Sequence, residues 1–237
     1  MENLESVNRE GKERLYPSLK NPNWLVLRKR REIFRKWLMQ VSGRDLTVLD
    51  IGGRIQPYRP LIQRRERAYV AVDLRRTPLV NVMARGERLP FGDASFDLAI
   101  STQVLEYIPE PAVFIAEIYR VLKPGGSLLL SVPSVCPSDA EEDSWRFLRA
   151  GLRRLLVQFE SVEIVAEGGS ITGFFRAINA CLNIFARFSA VRGLLRYTLF
   201  PTINVMGLLA ERMSGSLNEQ FVANYSAWAR KAGRSHP

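Results

Sequence analysis

The sequence predicts an α/β fold, a Rossmann-like doubly wound sheet that is mostly parallel, and three observations carry that expectation. Residues 96–132 read strand, loop, helix, Pro-Gly-Gly break and strand, which makes a parallel βαβ unit with a right-handed crossover. Two further apolar runs, 46–51 (LTVLDI) and 69–72 (YVAV), have an acid at or just beyond their carboxyl ends, Asp50 and Asp73. Gly52-Gly53 follows the first run, at the strand end where a doubly wound sheet binds its ligand.

Taken in order, residues 1–22 are polar with scattered prolines and are expected to form an extended arm or lid. Residues 24–41 form a helix with Leu27, Ile33, Phe34, Trp37, Leu38 and Val41 on an apolar stripe. Its other face carries Arg28, Lys29, Arg31, Arg35 and Lys36, which reads either as a solvated basic face or as one that meets lipid headgroups. The run 96–101 (FDLAIS) is long enough for a buried strand and too short for a helix. Glu110 and Pro111 open a helix in which Phe114, Ile118, Val121 and Leu122 share a face. Lys123 closes that helix, and Pro124-Gly125-Gly126 forbids its continuation. Residues 128–132 form the next strand, and 161–167 (SVEIVAE) and 223–230 (ANYSAWAR) supply two more. The connection between these last two, 168–220, is too long and too apolar for a structureless loop, so it predicts a folded helical insertion. The expected organisation is therefore an arm and helix (1–44), a core (45–167), an amphipathic helical insertion (168–220), and a last strand with a tail (221–237).

With 237 residues and 46% apolar content, one sizeable core is available and two full domains are not expected. Cys136 and Cys181 have neither metal-ligand nor disulfide-framework spacing, and the sole histidine, His236, lies in the polar tail, so no metal is expected. The polar amino terminus has no secretory pattern, which favours a cytoplasmic protein. The net charge of +10 fits either an anionic partner or a solubilising surface. No RNA-binding signature accompanies the charge, so nucleic acid ranks below a phosphorylated small molecule or an anionic membrane surface.

Gly52 and Asp73 stand about 20 positions apart, which lets a glycine admit a ligand while the acid accepts hydrogen bonds from ribose hydroxyls. The pattern fits a nucleoside cofactor. The ordered series VLDIGG, YVAVDL and ERLPFGDASFDLAISTQVLEYIPEPAVFIAEIYRVLKPGGSLLLSVP resembles the class I S-adenosylmethionine-dependent methyltransferases, and within them the type 11 methyltransferase domain. The segment GGRIQPYRPLI resembles members with a G-x-x-PYRPL motif, several of them associated with cell-surface glycan or lipid biosynthesis. The resemblance runs from about residue 45 to residue 165. It implies seven strands with the last antiparallel, S-adenosylmethionine as cofactor, and a helix over residues 148–157 that Trp145-Arg146-Phe147 leads into near the mouth of the site.

Residue by residue, Asp50, Gly52 and Gly53 would form the first cofactor loop, with Asp50 alternatively a structural acid at a strand end. Asp73 would hold the ribose and Leu74 would flank the adenine. The resemblance puts Glu87, Arg88 and Leu89 along the adenine edge and Gln103 with Val104 beneath the cofactor; Leu89 reads equally as core. Arg54 and Gln56 occupy positions where the family has glycine, and Arg85 stands where the branch has an adenine-binding acid, leaving Glu87 to compensate. Arg54 would fold away, pair with the cofactor's carboxylate, or obstruct it.

Methyl transfer depends chiefly on alignment, so no conspicuous catalytic constellation is required. An oxygen acceptor needs a base within hydrogen-bond reach. Glu106 is the nearest candidate, Tyr107 replaces the branch's usual histidine, and Tyr58 and Tyr107 would position the acceptor; each also has a structural reading. Asp139, Glu141, Glu142 and Asp143 are expected to form a solvated acidic edge. The insertion is aromatic, rich in arginine and free of acids before Glu211, which suits an in-plane membrane anchor, a lid or a dimer interface. The expected function is methyl transfer to a small-molecule or a lipid- or nucleotide-linked saccharide acceptor at a membrane surface. The rival reading is a non-catalytic, membrane-peripheral scaffold with the same fold, and the oligomeric state is open.

Overall fold

The computed structural model describes residues 2–62, 65–135, 137, 141–214 and 218–233. Cys136, Asp139 and His236 lie outside the described residues. The strands are β1 (Leu46–Ile51), β2 (Glu66–Asp73), β3 (Val82–Met83), β4 (Phe96–Thr102), β5 (Leu122–Pro133), β6 (Ser161–Ala166) and β7 (Asn224–Arg230). They form one sheet in the order β3-β2-β1-β4-β5-β7-β6. β1 pairs in parallel with β2 and β4, and β7 runs antiparallel to both β5 and β6. This is the predicted fold class. Strand order reverses between β1 and β4, so their carboxyl ends open the crevice in which such sheets bind ligands.

Because side chains alternate across a strand, each face of the sheet builds its own core. On one face Leu49, Ile51, Ala99, Leu128 and Leu130 meet Phe114, Ile115, Ile118 and Val121 of α3 (Pro111–Val121). On the other, Val48, Leu98, Ile100, Leu129 and Trp228 meet Phe34, Trp37 and Leu38 of α2 (Trp24–Gln40). A parallel sheet covered on both faces explains why these strands read as continuous apolar runs.

Three expectations need correction. Residues 1–22 are not an extended arm: Leu4–Leu15 is a helix, α1, capped by the Asn3 side chain and burying Val7, Gly11 and Leu15 at a spacing of one turn. Helix α3 ends at Val121, before Lys123. Leu122 already pairs with Phe96, and Pro124-Gly125-Gly126 is an irregularity inside the β4–β5 ladder, with Gly125 at φ +77°. Lys123 serves Asp97, holding both carboxylate oxygens at 2.8 and 2.9 Å. The helix expected over residues 148–157 is present as α4 (Arg149–Leu155). Finally, the basic face of α2 is largely engaged. Arg28 and Lys29 each reach Glu211 at 3.6 Å, and Arg31 donates to the Leu15 carbonyl at 3.3 Å.

Between β6 and β7 the chain is helical, as predicted: α5 (Ser170–Asn183), α6 (Ser189–Leu194) and α7 (Phe200–Ser214), with a π-helical turn at Leu195–Leu199. Two wholly buried amides dock it. Asn179 Nδ2 donates to Asn204 Oδ1 at 2.9 Å, and Asn204 Nδ2 donates to the carbonyls of Leu19 and Asn21 at 2.8 and 3.0 Å. The insertion is therefore fastened to the linker between α1 and α2.

Two buried acids carry most of the polar packing around the sheet. Glu167 (0% exposed) follows β6, and its Oε1 accepts from Arg30 Nε at 2.8 Å, Ser131 Oγ at 2.6 Å and Ser226 Oγ at 2.7 Å. Arg30 is itself only 2% exposed. Asp50 faces α2's side of the sheet and accepts the Tyr69 hydroxyl at 2.6 Å. Burial pushes its carboxyl up to about 7, against the Tyr69 hydroxyl, which favours the ionised form.

Glu167→Ala should destabilise the fold by about 3–5 kcal/mol in urea denaturation, because it leaves a buried guanidinium unpaired. The double variant Glu167→Leu with Arg30→Met should recover most of that loss, because both charges then leave together. For Asp50 the folded-state pKa lies above the unfolded one, so its contribution to stability falls as pH rises between the unfolded value, about 3.9, and about 7. Asp50→Asn, which keeps an acceptor for Tyr69, should thus raise the melting temperature over wild type at about pH 8, and the gain should shrink toward about pH 4.

Candidate functional site

The crevice is built where β1, β2 and β4 end. Gly52 has φ +77°, and a Cβ there would lie 2.2 Å from Val104 Cγ2. A Cβ on Gly53 would lie within 2.9 Å of Asp50. A side chain at Gly52 would therefore drive the β1 and β4 loops apart and one at Gly53 would collide with Asp50, so glycine is required twice in succession. The amides of Gly52 and Gly53 both point at the Val72 carbonyl, at 2.8 and 3.3 Å, which ties the loop to β2 just before Asp73. Asp73 Oδ1 accepts the Arg75 amide at 2.8 Å, a local turn that sets the carboxylate at the strand end, and Leu74 beside it is exposed.

After β4 the chain makes a strained step. Gln103 has φ +55°, an uncommon conformation for a residue with a side chain. It is held there because its amide donates to the Ser131 carbonyl at 2.9 Å and its Nε2 to Ser131 Oγ at 3.3 Å. Strain fixed by surrounding structure is a mark of functional loops. Gly52, Gly53, Asp73, Gln103 and Val104 are thus brought together on adjoining strand ends.

The other residues singled out from sequence are arranged around this centre. Gly86 is buried, and a Cβ on it would lie 2.2 Å from the Phe114 ring, so the 85–89 loop runs tight over the start of α3. Glu87 is half-buried, and Arg85 and Arg88 are exposed. Leu89 is a core residue, and its amide donates to Glu117 Oε1 at 2.7 Å. Arg120 holds Glu117 and reaches the Phe91 and Leu89 carbonyls, and the Glu117 carboxyl lies below the usual range mainly because of that guanidinium. Asp50 lies beneath Gly53, buried and engaged by Tyr69, so it orders the loop from below.

Arg54 takes the first of its three expected courses. Its guanidinium turns to α1 and pairs with Glu10 at 2.5 and 3.1 Å and with Glu2 at 3.5 Å, while its carbonyl accepts the Thr77 hydroxyl at 2.9 Å. Gln56, with φ +43°, donates from Nε2 to the Leu79 carbonyl at 2.8 Å. The non-glycine residues of the loop are therefore absorbed by α1 and by the segment after β2.

Glu106 and Tyr107 lie on the short 3-10 turn Leu105–Tyr107 that follows Gln103. Glu106 is 3% exposed, and its carbonyl accepts the amides of Ser144 and Trp145 at 2.8 and 3.2 Å. Tyr107 is half-buried, and Tyr58 is wholly buried against Phe34, with ring centroids 4.7 Å apart. Asp143 is not on a solvated edge: its carboxylate is enclosed and pairs with Arg146 at 2.5 and 2.7 Å. Glu141 and Glu142 are exposed, as expected. Sequence reading offered a lid as one form of residues 1–22 but missed the helix, α1, that lies over the loop after the glycines. The Val7, Gly11, Leu15 spacing was its available signal, diluted by the polar residues between.

Among the described residues no group of three or more metal-ligating side chains is positioned to hold an ion. Residues 49–130 match the model of the type 11 methyltransferase domain family. A Mycolicibacterium smegmatis protein named a probable S-adenosylmethionine-dependent methyltransferase is 31% identical over 132 residues, which cover 52% of this chain and 50% of that protein. The chain thus spans about half the length of this curated relative. Among solved structures, the Burkholderia thailandensis 1,6-didemethyltoxoflavin-N1-methyltransferase, with its didemethyltoxoflavin and S-adenosylhomocysteine bound, superposes with a TM-score of 0.53 at 18% identity. That match covers 96% of this chain and 85% of the other. The Haemonchus contortus phosphoethanolamine N-methyltransferase 2 in complex with S-adenosyl-L-methionine gives 0.51 at 13% identity, covering 94% of this chain and 60% of the other. At such identities the likeness is one of fold. The family match thus runs from β1 into β5, over the strand ends that build the crevice, in a sheet that closes on an antiparallel β7.

Proposed function

We propose that the protein transfers a methyl group from S-adenosylmethionine to a small-molecule acceptor or a lipid- or nucleotide-linked saccharide, met at the inner face of an anionic membrane. The observation that carries the first half is the crevice itself: two glycines that admit no side chain, an acid at the end of β2 and a strained glutamine after β4. Their chemistry fits the cofactor, with a close backbone approach for its amino-acid part and a carboxylate for its ribose hydroxyls. Bound there, the cofactor supplies an electrophilic methyl on a sulfonium sulfur. The chain's own task is to hold acceptor and methyl in line, and such alignment accounts for much of the acceleration.

In this reading Asp73 accepts the ribose hydroxyls, Leu74 and the 87–89 segment border the adenine, and Gln103 with Val104 supports the cofactor from beneath. Glu106, one turn further on, is the group to take a proton from an oxygen acceptor, with Tyr107 positioning that acceptor. The scaffold reading loses one of its two supports, because Arg54 pairs with α1 and does not fill the crevice. Arg85, exposed at the position of the adenine-binding acid, remains in its favour.

The membrane half rests on the insertion. Phe174, Ile184, Phe185 and Phe188 are exposed along α5 and the turn after it, and Val205, Met206, Leu209 and Met213 form an exposed stripe on α7. Arg187, Arg192, Arg196 and Arg212 are exposed among them, whereas Glu211 is taken up by Arg28 and Lys29. No helix among the described residues is long and apolar enough to cross a membrane, so the composition suits a helix pair lying in the interface. A two-fold dimer through the same face would gather the arginines of both copies in one interface.

Calorimetric titration should detect S-adenosylhomocysteine, and Asp73→Ala should weaken it by about tenfold or more, the worth of a hydrogen bond to a charged group. Absence of binding at about millimolar ligand would favour the scaffold. Flotation with liposomes containing phosphatidylserine should recover the protein, less so in high salt. The paired change Met206→Glu with Leu209→Glu should abolish recovery without lowering the melting temperature. Equal recovery by uncharged liposomes would refute the electrostatic part.

A further inference from the structure

Helix α1 crosses the loop that follows Gly52 and Gly53, and the crossing is close: a Cβ on Gly11 would lie 2.3 Å from the Ile55 carbonyl oxygen. Arg14 stands three residues beyond Gly11 and so shares its side of the helix. It is partly enclosed and not sealed from solvent. Its charged neighbours are Arg30, Glu10 and Arg54, with Tyr58 beside them. Each of those acids and bases is already matched: Glu10 closes on Arg54 at 2.5 Å and Glu167 on Arg30 at 2.8 Å. Arg14 makes no hydrogen bond and no ion pair among the described residues. The Tyr58 hydroxyl, on a side chain 1% exposed, faces the same cluster without a well-formed hydrogen bond.

An arginine in such a place stays charged, since its guanidinium does not lose a proton in proteins. Burial, and after it the Arg30 charge, lowers the Arg14 pKa, so the folded state holds this cation at a cost. A structural arginine would have a carboxylate or a row of carbonyls to meet, as Arg30 and Arg120 do. An enclosed, unmatched guanidinium beside a ligand crevice has the character of a group awaiting its anion.

We propose that Arg14 is the anchor of an anion subsite at the edge of the glycine loop, taking a carboxylate or phosphate group of a bound ligand. Two sources share that chemistry: the carboxylate of the cofactor's amino-acid part, and an acidic group on the methyl acceptor. The first source rests on the function proposed above; the subsite itself does not.

The test compares wild type with Arg14→Gln and Arg14→Lys. In phosphate-free, low-salt buffer Arg14→Gln should melt at or above the wild-type temperature, since it removes a repelled charge. If the cofactor's carboxylate is the anion, Arg14→Gln should weaken S-adenosylhomocysteine by about tenfold or more, as loss of a charge-assisted contact does. It should leave 5′-methylthioadenosine, which lacks the amino-acid part, unaffected, and Arg14→Lys should recover part of the loss. If the acceptor supplies the anion, both nucleosides should bind the variants like wild type. Inorganic phosphate should then raise the melting temperature of wild type and of Arg14→Lys, and not that of Arg14→Gln. Identical nucleoside affinities together with identical phosphate responses would overturn the proposal, as would an Arg14→Gln protein that melts well below wild type. Failure of wild type to bind either nucleoside would count against the methyltransferase reading, and the phosphate response alone would then decide the subsite.

Discussion

A single carboxylate organises one side of this molecule. Glu167 Oε1 gathers Arg30 from α2, Ser131 from β5 and Ser226 from β7. Three elements that are distant in sequence thus converge on one atom that water cannot reach. An ion pair buried to this depth contributes little net stability over an apolar substitute, but it penalises any arrangement that separates its partners. Its effect here is to fix which part of α2 lies over which part of the sheet. The same constraint reaches the ligand crevice in two steps, because Ser131 also holds Gln103 through both its carbonyl and its hydroxyl. The unusual backbone of Gln103 is therefore supported from the far side of β5.

The sheet was legible in the sequence because parallel strands covered on both faces leave unbroken apolar runs, and those at 46–51, 69–72 and 96–101 stand in isolation. The helix after Pro111 was legible for the same reason, with a proline at its start and a clean apolar face. Its end was not. Lys123 suits a helix terminus on charge grounds, but Leu122 is worth more in the β4–β5 ladder, and Asp97 gives the lysine a partner there. Helix α1 was hidden because only three of its residues are buried, two apolar and one a glycine whose value lies in having no side chain.

In the site, the residues legible from sequence were those whose backbone position is the requirement: Gly52, Gly53 and the acid that ends β2. Residues whose meaning depends on a partner far along the chain were not legible. Arg54 looked like an intrusion into a glycine loop, and only the fold reveals that Glu10 and Glu2 draw it aside. Asp143 looked solvated in a run of acids, yet Arg146 encloses it. Charge in a sequence is visible and its neutralisation is not, so the basic face of α2 read as open when Glu211 takes up Arg28 and Lys29.

The place of β7 has a consequence for how the chain comes to be assembled. Among the described residues it follows β6 in sequence, yet it sits inside the sheet between β5 and β6. Among the described residues β6 has no other strand neighbour, so residues 161–166 cannot join the sheet until residues 224–230 have been made. During synthesis the apolar edge of β5 must wait, exposed, for β7. Long-range closure of this kind is slow and aggregation-prone. A ribosome-bound intermediate of this chain would thus hold a finished crevice at one end of the sheet and an open, adhesive edge at the other.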